Sequence, residues 1–225
     1  MRKRILLVEG PDDLHVMCNL FEVREVPKTF DVKLASVQNH LAEERDGGGG
    51  VETLLKSIPV HLLEADLDCL ALVIDANDKG PAARWQAIRG QLLSAGYDGL
   101  PERHGEQGTL FNVSLRPQTP RSVRFGAWIM PDNRSQGMIE DFVANLIREG
   151  DAMWPHVDGF LNSIPPPQRR FVPAHLPKAR IHSWLAVSER PGRPMGQAIK
   201  ADQYVDAHHS SVEPFIDWIE RALLQ

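Results

Sequence analysis

The chain has 225 residues, of which 42% are hydrophobic and 24% charged, and a formal charge of −5. This composition excludes a disordered or fibrous protein, and the length suffices to bury a core without disulfides or a structural metal. No apolar run approaches the roughly 18 residues that span a membrane, so no membrane partner is expected.

The first apolar run, Ile5 to Val8, is too short for a signal-peptide core, and a cytoplasmic site is expected. Residues 4–8 form a β-former run without polar alternation, which predicts a strand buried on both faces. Glu9-Gly10-Pro11 ends it, and Pro11, Asp12 and Asp13 suit the first turn of a helix whose apolar positions are Leu14, Met17, Cys18 and Phe21. Residues 31–37 predict a second strand, 47–50 a flexible glycine loop and 51–58 a short helix. Residues 69–74 repeat the doubly buried pattern and stop at Asp75; residues 81–95 are helical, with Trp85, Ile88 and Leu92 on one side. Three βα units in succession predict an α/β domain.

Residues 109–115 and 123–130 read as two strands joined by the short linker 116–121, an antiparallel edge hairpin. A helix is predicted over 138–149, a break at 165–167, and further helices near 178–187 and 212–224. The expected organisation is therefore a mostly parallel α/β domain over 1–150, with a C-terminal helical extension over 151–225 packed on it. Cys18 and Cys69 both fall in apolar surroundings and form no disulfide framework, which fits a reducing compartment.

Three predicted strands end in acid, at Glu9, Asp75 and Asp132. In parallel sheets the carboxyl ends of neighbouring strands share one edge, where ligands bind. Asp13 follows Glu9 by one helical turn, and Asp78 follows Asp75. Gathered carboxylates repel unless one keeps its proton or a hard cation such as Mg²⁺ joins them. Acids in first helical turns, such as Asp12, Asp13, Glu140 and Asp141, also have an ordinary explanation in the helix dipole. Glu9 and Asp75 are less easily explained, because a carboxylate directly after an apolar strand is costly unless it caps or binds something.

The sequences Val8-Glu9-Gly10-Pro11-Asp12-Asp13 and Val73-Ile74-Asp75-Ala76-Asn77-Asp78, each after a hydrophobic strand, resemble the two motifs of the TOPRIM domain. The Glu-Gly-x-x-Asp form is most similar to OLD-family nucleases. Trp128 to Asn133, Gly137 to Asp141 and Lys178 to Trp184 look like an uncharacterised bacterial TOPRIM-like family. The resemblance implies a TOPRIM-like, Rossmann-like sheet and a Mg²⁺ or Mn²⁺ site built from Glu9, Asp13, Asp75, Asn77 and Asp78. Asn77 stands where the motif has its second Asp, and offers a neutral oxygen instead.

The implied activity is metal-dependent phosphodiester chemistry on nucleic acid, as a nuclease. Glu9 is expected as ligand or general base, with Asp75 and Lys178 as catalytic partners. Residues 165–200 carry seven Lys+Arg against Glu189 alone, and Lys178, Arg180 and Lys200 are expected to hold the phosphate backbone. Asp132, Glu140 and His182 are further candidates. The alternatives are a metal-binding regulatory module that docks a protein partner or a nucleotide without turnover, and an enzyme acting on a small phosphorylated molecule.

Overall fold

The computed structural model describes residues 2–35, 50–114, 122–200 and 204–225. Five strands form one sheet: β1 (Lys3–Val8), β2 (Asp31–Leu34), β3 (Leu67–Asp75), β4 (Thr109–Ser114) and β5 (Ser122–Met130), in the order β2-β1-β3-β5-β4. β2, β1, β3 and β5 run parallel, and β4 pairs antiparallel with β5 at the edge. The expected α/β class, parallel core and antiparallel edge pair are all present. Residues 36–37 of the second predicted strand, most of the glycine loop and the 116–121 linker lie outside the described residues.

Side-chain alternation divides the core into two layers. Ile5, Leu7, Leu70, Leu72, Ile74, Phe125 and Ile129 face α2 (Val51–Leu62) and α3 (Gly80–Ser94). Leu6, Val8, Cys69, Ala71, Val73, Trp128 and Met130 face α1 (Pro11–Val23) and the C-terminal helices. A strand covered on both faces has no solvent side, which is why residues 5–8 of β1 and 69–74 of β3 read as unbroken apolar runs.

The C-terminal helices are α4 (Ile139–Ala144), α5 (Trp154–Ser163), α6 (Leu176–Ala186), α7 (Met195–Lys200) and α8 (Glu213–Ile219), the last continuing as a π turn through Glu220–Leu224. They share one core with the sheet: Trp218 lies 5.8 Å from Trp128 and 6.0 Å from Phe215, ring centroid to centroid. The expected 138–149 helix stops at Ala144, and Ile147 instead forms an isolated bridge with Val205. α5 and α7 were not foreseen from the sequence. Cys18 departs from its expected apolar setting: it is exposed on α1, whereas Cys69 is buried with its thiol donating to Ala222 O. Among the described residues, no helix is long and apolar enough to cross a membrane.

A buried acid cluster at the sheet edge

The chain leaves β1 for β2 on one side and reaches β3 on the other. The order therefore reverses between β1 and β3, and in open α/β sheets the crevice outside such a switch point is where ligands bind. Glu9 and Asp75 close this crevice. The Asp75 N–H donates to Glu9 Oε1 at 2.6 Å, so the two acids share one edge as their strand-end positions predict.

Asp75 is the hub of the site. Its Oδ1 accepts from Ile139 N at 2.9 Å, which ties the first turn of α4 to the end of β3. Its carbonyl accepts from Arg84 Nε at 2.7 Å. Residue 139 brings its neighbour Glu140 to the same place, and Glu140 Oε1 lies 3.7 Å from Lys178 Nζ on α6. Asp13 arrives on the first turn of α1. Glu9, Asp13, Asp75 and Glu140 are each less than a tenth exposed.

Burial dominates the electrostatics of all four acids. It pushes the Glu9 carboxyl up to about 7, against the Asp75 N–H, with Asp13 raising it further and Arg84 and Lys178 drawing it down. Asp13 is pushed up to about 6 by burial, with Glu140 adding to the rise. Asp75 is held well above the ordinary carboxylate range by burial and then by Glu9, Asp13 and Glu140. Glu140 is raised by burial, with Lys178 opposing. Glu9, Asp13 and Asp75 each feel another acid of the cluster, and Lys178 offsets Glu9, Asp13 and Glu140.

Two oxygens in this cluster, Asp13 Oδ1 and Glu140 Oε2, are buried without a hydrogen-bond partner among the described residues. A buried carboxylate oxygen lacking a donor is costly, and a hard cation is the ligand that four such oxygen donors suit. Among the described residues, no three His, Cys, Asp or Glu side chains stand grouped tightly enough to hold a metal ion in this arrangement. Four carboxylates with two unpartnered oxygens are donors of the kind Mg²⁺ or Mn²⁺ takes.

The remaining sequence-derived candidates are placed around this cluster or away from it. Asn77 sits in the left-handed region at φ 53°, which Asn tolerates, and its backbone N–H and C=O pair with Gly137 at 2.7 and 3.2 Å. Asp78 is exposed, and its carbonyl accepts from Gln136 Nε2 at 2.7 Å. Asp132 is exposed and spends its oxygens on Arg134 N, Ser135 N and Ser135 Oγ. Arg180 is held bidentately by Asp158 at 2.7 and 2.9 Å, with its guanidinium over the Trp154 ring. Lys200 pairs with Glu22 at 2.6 Å. His182 is exposed, close enough to Glu140 to lower its carboxyl.

Sequence reading missed Arg84 altogether. The buried face of α3 runs Pro81, Arg84, Trp85, Ile88, Leu92, so the signal was an arginine set into an apolar stripe.

The loop after β5 clamps the loop after β3, and Gly137 makes the clamp possible. Its φ is +139°, and a Cβ there would meet Asp141 Oδ2 at 2.6 Å. That oxygen accepts from Met138 N at 2.9 Å and sets the start of α4. Gly137→Ala is expected to cost about 2 kcal/mol through strain and loss of this bond. A drop in Tm of about 6 °C would register it in calorimetry; an unchanged Tm would show that the loop yields freely.

The molecule is thus an α/β protein with a buried carboxylate cluster at the switch point of a mostly parallel sheet. The chain belongs to the family described as "Protein of unknown function (DUF3226)", whose model matches residues 3–224. Comparison with curated proteins and with solved structures finds no match.

Proposed function

We propose that this is a TOPRIM-like protein whose cluster takes Mg²⁺ or Mn²⁺ and serves phosphodiester chemistry on nucleic acid, as a nuclease. The observation that carries the reading is the convergence of Glu9 and Asp75 at the switch point, with the unpartnered oxygens of Asp13 and Glu140 beside them. Glu9, Asp13, Asp75 and Glu140 would hold the ion, which when bound polarises a phosphoryl oxygen and stabilises charge on the attacking and leaving oxygens.

Glu9 Oε2 is the oxygen left to take a proton from a nucleophile, because Oε1 is engaged by the Asp75 N–H. Asp75, fixed by Ile139 and Arg84, orients Glu9. Lys178 is about half exposed beside the buried Glu140 and presents a cation to a phosphate. Nucleic acid as substrate is supported by this cation and by the motif resemblance.

The test is turnover of single- and double-stranded DNA and RNA with Mg²⁺ or Mn²⁺. Cleavage by the wild type, lost in Glu9→Gln and Asp75→Asn, is expected; cleavage that persists in both variants would place the chemistry elsewhere.

A second reading, a cation-binding regulatory module without turnover, is favoured by two observations. Asn77 replaces a motif carboxylate, and Arg180 and Lys200 are already paired with Asp158 and Glu22. Asn77→Asp separates the readings: it is expected to tighten Mg²⁺ binding, and to raise cleavage only if the site turns over. Unchanged Mg²⁺ affinity in Asn77→Asp would show that residue 77 does not contact the ion.

A further inference from the structure

We propose that Arg84 anchors a phosphodiester oxyanion at this site, an inference that rests on the cation reading above and names the residue that recognises its substrate. Arg84 is 6% exposed. Burying a guanidinium is costly unless anions or acceptors meet its donors. Among the described residues it makes one hydrogen bond, from Nε to the Asp75 carbonyl, and no ion pair. A guanidinium carries five N–H donors; the two terminal nitrogens are not among the buried atoms that lack a partner, so they reach the surface of the site, where a ligand can meet them.

The placement of that side chain gives those donors a purpose. The Asp75 carbonyl holds it at the carboxyl end of β3, and its charge acts on Glu9 across the crevice. The acceptor occupies Nε only, which leaves the pair of terminal amino groups that a phosphate engages as a fork. Two of the cations named from sequence are poorly placed to do this, since Arg180 is bidentate to Asp158 and Lys200 pairs with Glu22. Arg84 and Lys178 are the cations that act on Glu9. Of these, Arg84 is fixed and Lys178 half exposed. A fixed fork next to a cation site is the arrangement that positions a phosphodiester for attack.

The bland reading of Arg84 is charge compensation for Glu9, and binding measurements distinguish the two. Mg²⁺ is titrated calorimetrically into the full chain, and then a four-residue oligothymidylate is titrated at saturating Mg²⁺. The wild type is expected to bind both. Arg84→Gln is expected to keep Mg²⁺ affinity or tighten it, because a positive charge is removed. It should weaken oligothymidylate binding by about tenfold or more, the loss of a charge-assisted hydrogen bond. Arg84→Lys, which keeps the charge without the fork, should fall between the two.

Equal oligothymidylate affinity in Arg84→Gln and wild type would overturn the proposal, as would a wild type that binds Mg²⁺ but no oligothymidylate. Absence of Mg²⁺ binding in the first titration would sink the cation reading, and this proposal with it, before any nucleotide is added. If Arg84→Gln does not fold, Arg84→Lys decides: weaker nucleotide binding at unchanged Mg²⁺ affinity supports the anchor, and unchanged binding of both refutes it.

Discussion

Glu9→Gln should make the protein more stable above neutral pH in the absence of divalent cation, while abolishing its stabilisation by Mg²⁺. The sign follows from linkage. Glu9 titrates from an ordinary 4.5 up to about 7 on folding, because burial disfavours its charge. The folded state therefore holds this proton more tightly than the unfolded chain. The resulting stability is full below about pH 4.5 and is lost as pH rises through about 7.

A shift of this size corresponds to about 3 kcal/mol. Asp13, raised to about 6, adds a loss of the same sign. Without cation, the wild type should lose Tm steadily between pH 5 and pH 8, and Glu9→Gln should flatten that slope. The amide oxygen of Gln can still accept from the Asp75 N–H, so the variant keeps the local fold. Saturating Mg²⁺ at pH 8 should restore the wild-type Tm by mass action and leave Glu9→Gln unmoved. A wild-type Tm that rises between pH 5 and pH 8 without cation would contradict the burial argument.

Trp218→Ala is expected to cost about 3–5 kcal/mol, the usual penalty for emptying a buried aromatic site. Trp218 is fully buried on α8, against Trp128 of β5 and Phe215, and its indole N–H donates to Thr109 O at 3.3 Å. One side chain thereby joins the C-terminal helix to both strands of the antiparallel pair, β4 and β5. The expected loss in Tm is about 10 °C, with one cooperative transition because helix and sheet share a core. Two separate transitions in the variant would show instead that the C-terminal helices unfold independently of the sheet.

How much of this was legible in the sequence depended on whether neighbours in space were also neighbours in sequence. β5 was read from its short link to β4, and β1 and β3 were plain, because a strand covered on both faces is apolar where it is buried. Glu9 and Asp75 were plain for the same reason, each being the first acid after such a run. Glu140 looked like one more acid in a first helical turn, because its burial depends on Ile139 being tied to Asp75, 64 residues away.

Arg180 and Lys200 looked like members of a basic surface, because Asp158 and Glu22 lie beyond any local reading. Arg84 was passed over because periodicity counts apolar positions and treats a cation among them as noise. α5 was missed because Gly159 weakens its helical signal, a cost offset here by packing of Val157 and Leu161 into the core, while Pro155 suits the first turn.

The central claim is that Glu9, Asp13, Asp75 and Glu140 form one divalent-cation site, and Mn²⁺ binding followed by electron paramagnetic resonance tests it most directly. The signal of free Mn²⁺ should fall when wild-type protein is added at pH 8, recover on adding excess Mg²⁺, and stay undiminished with Asp75→Asn. A free-ion signal that the wild type leaves unchanged, or that Asp75→Asn lowers as much as the wild type does, would contradict the account.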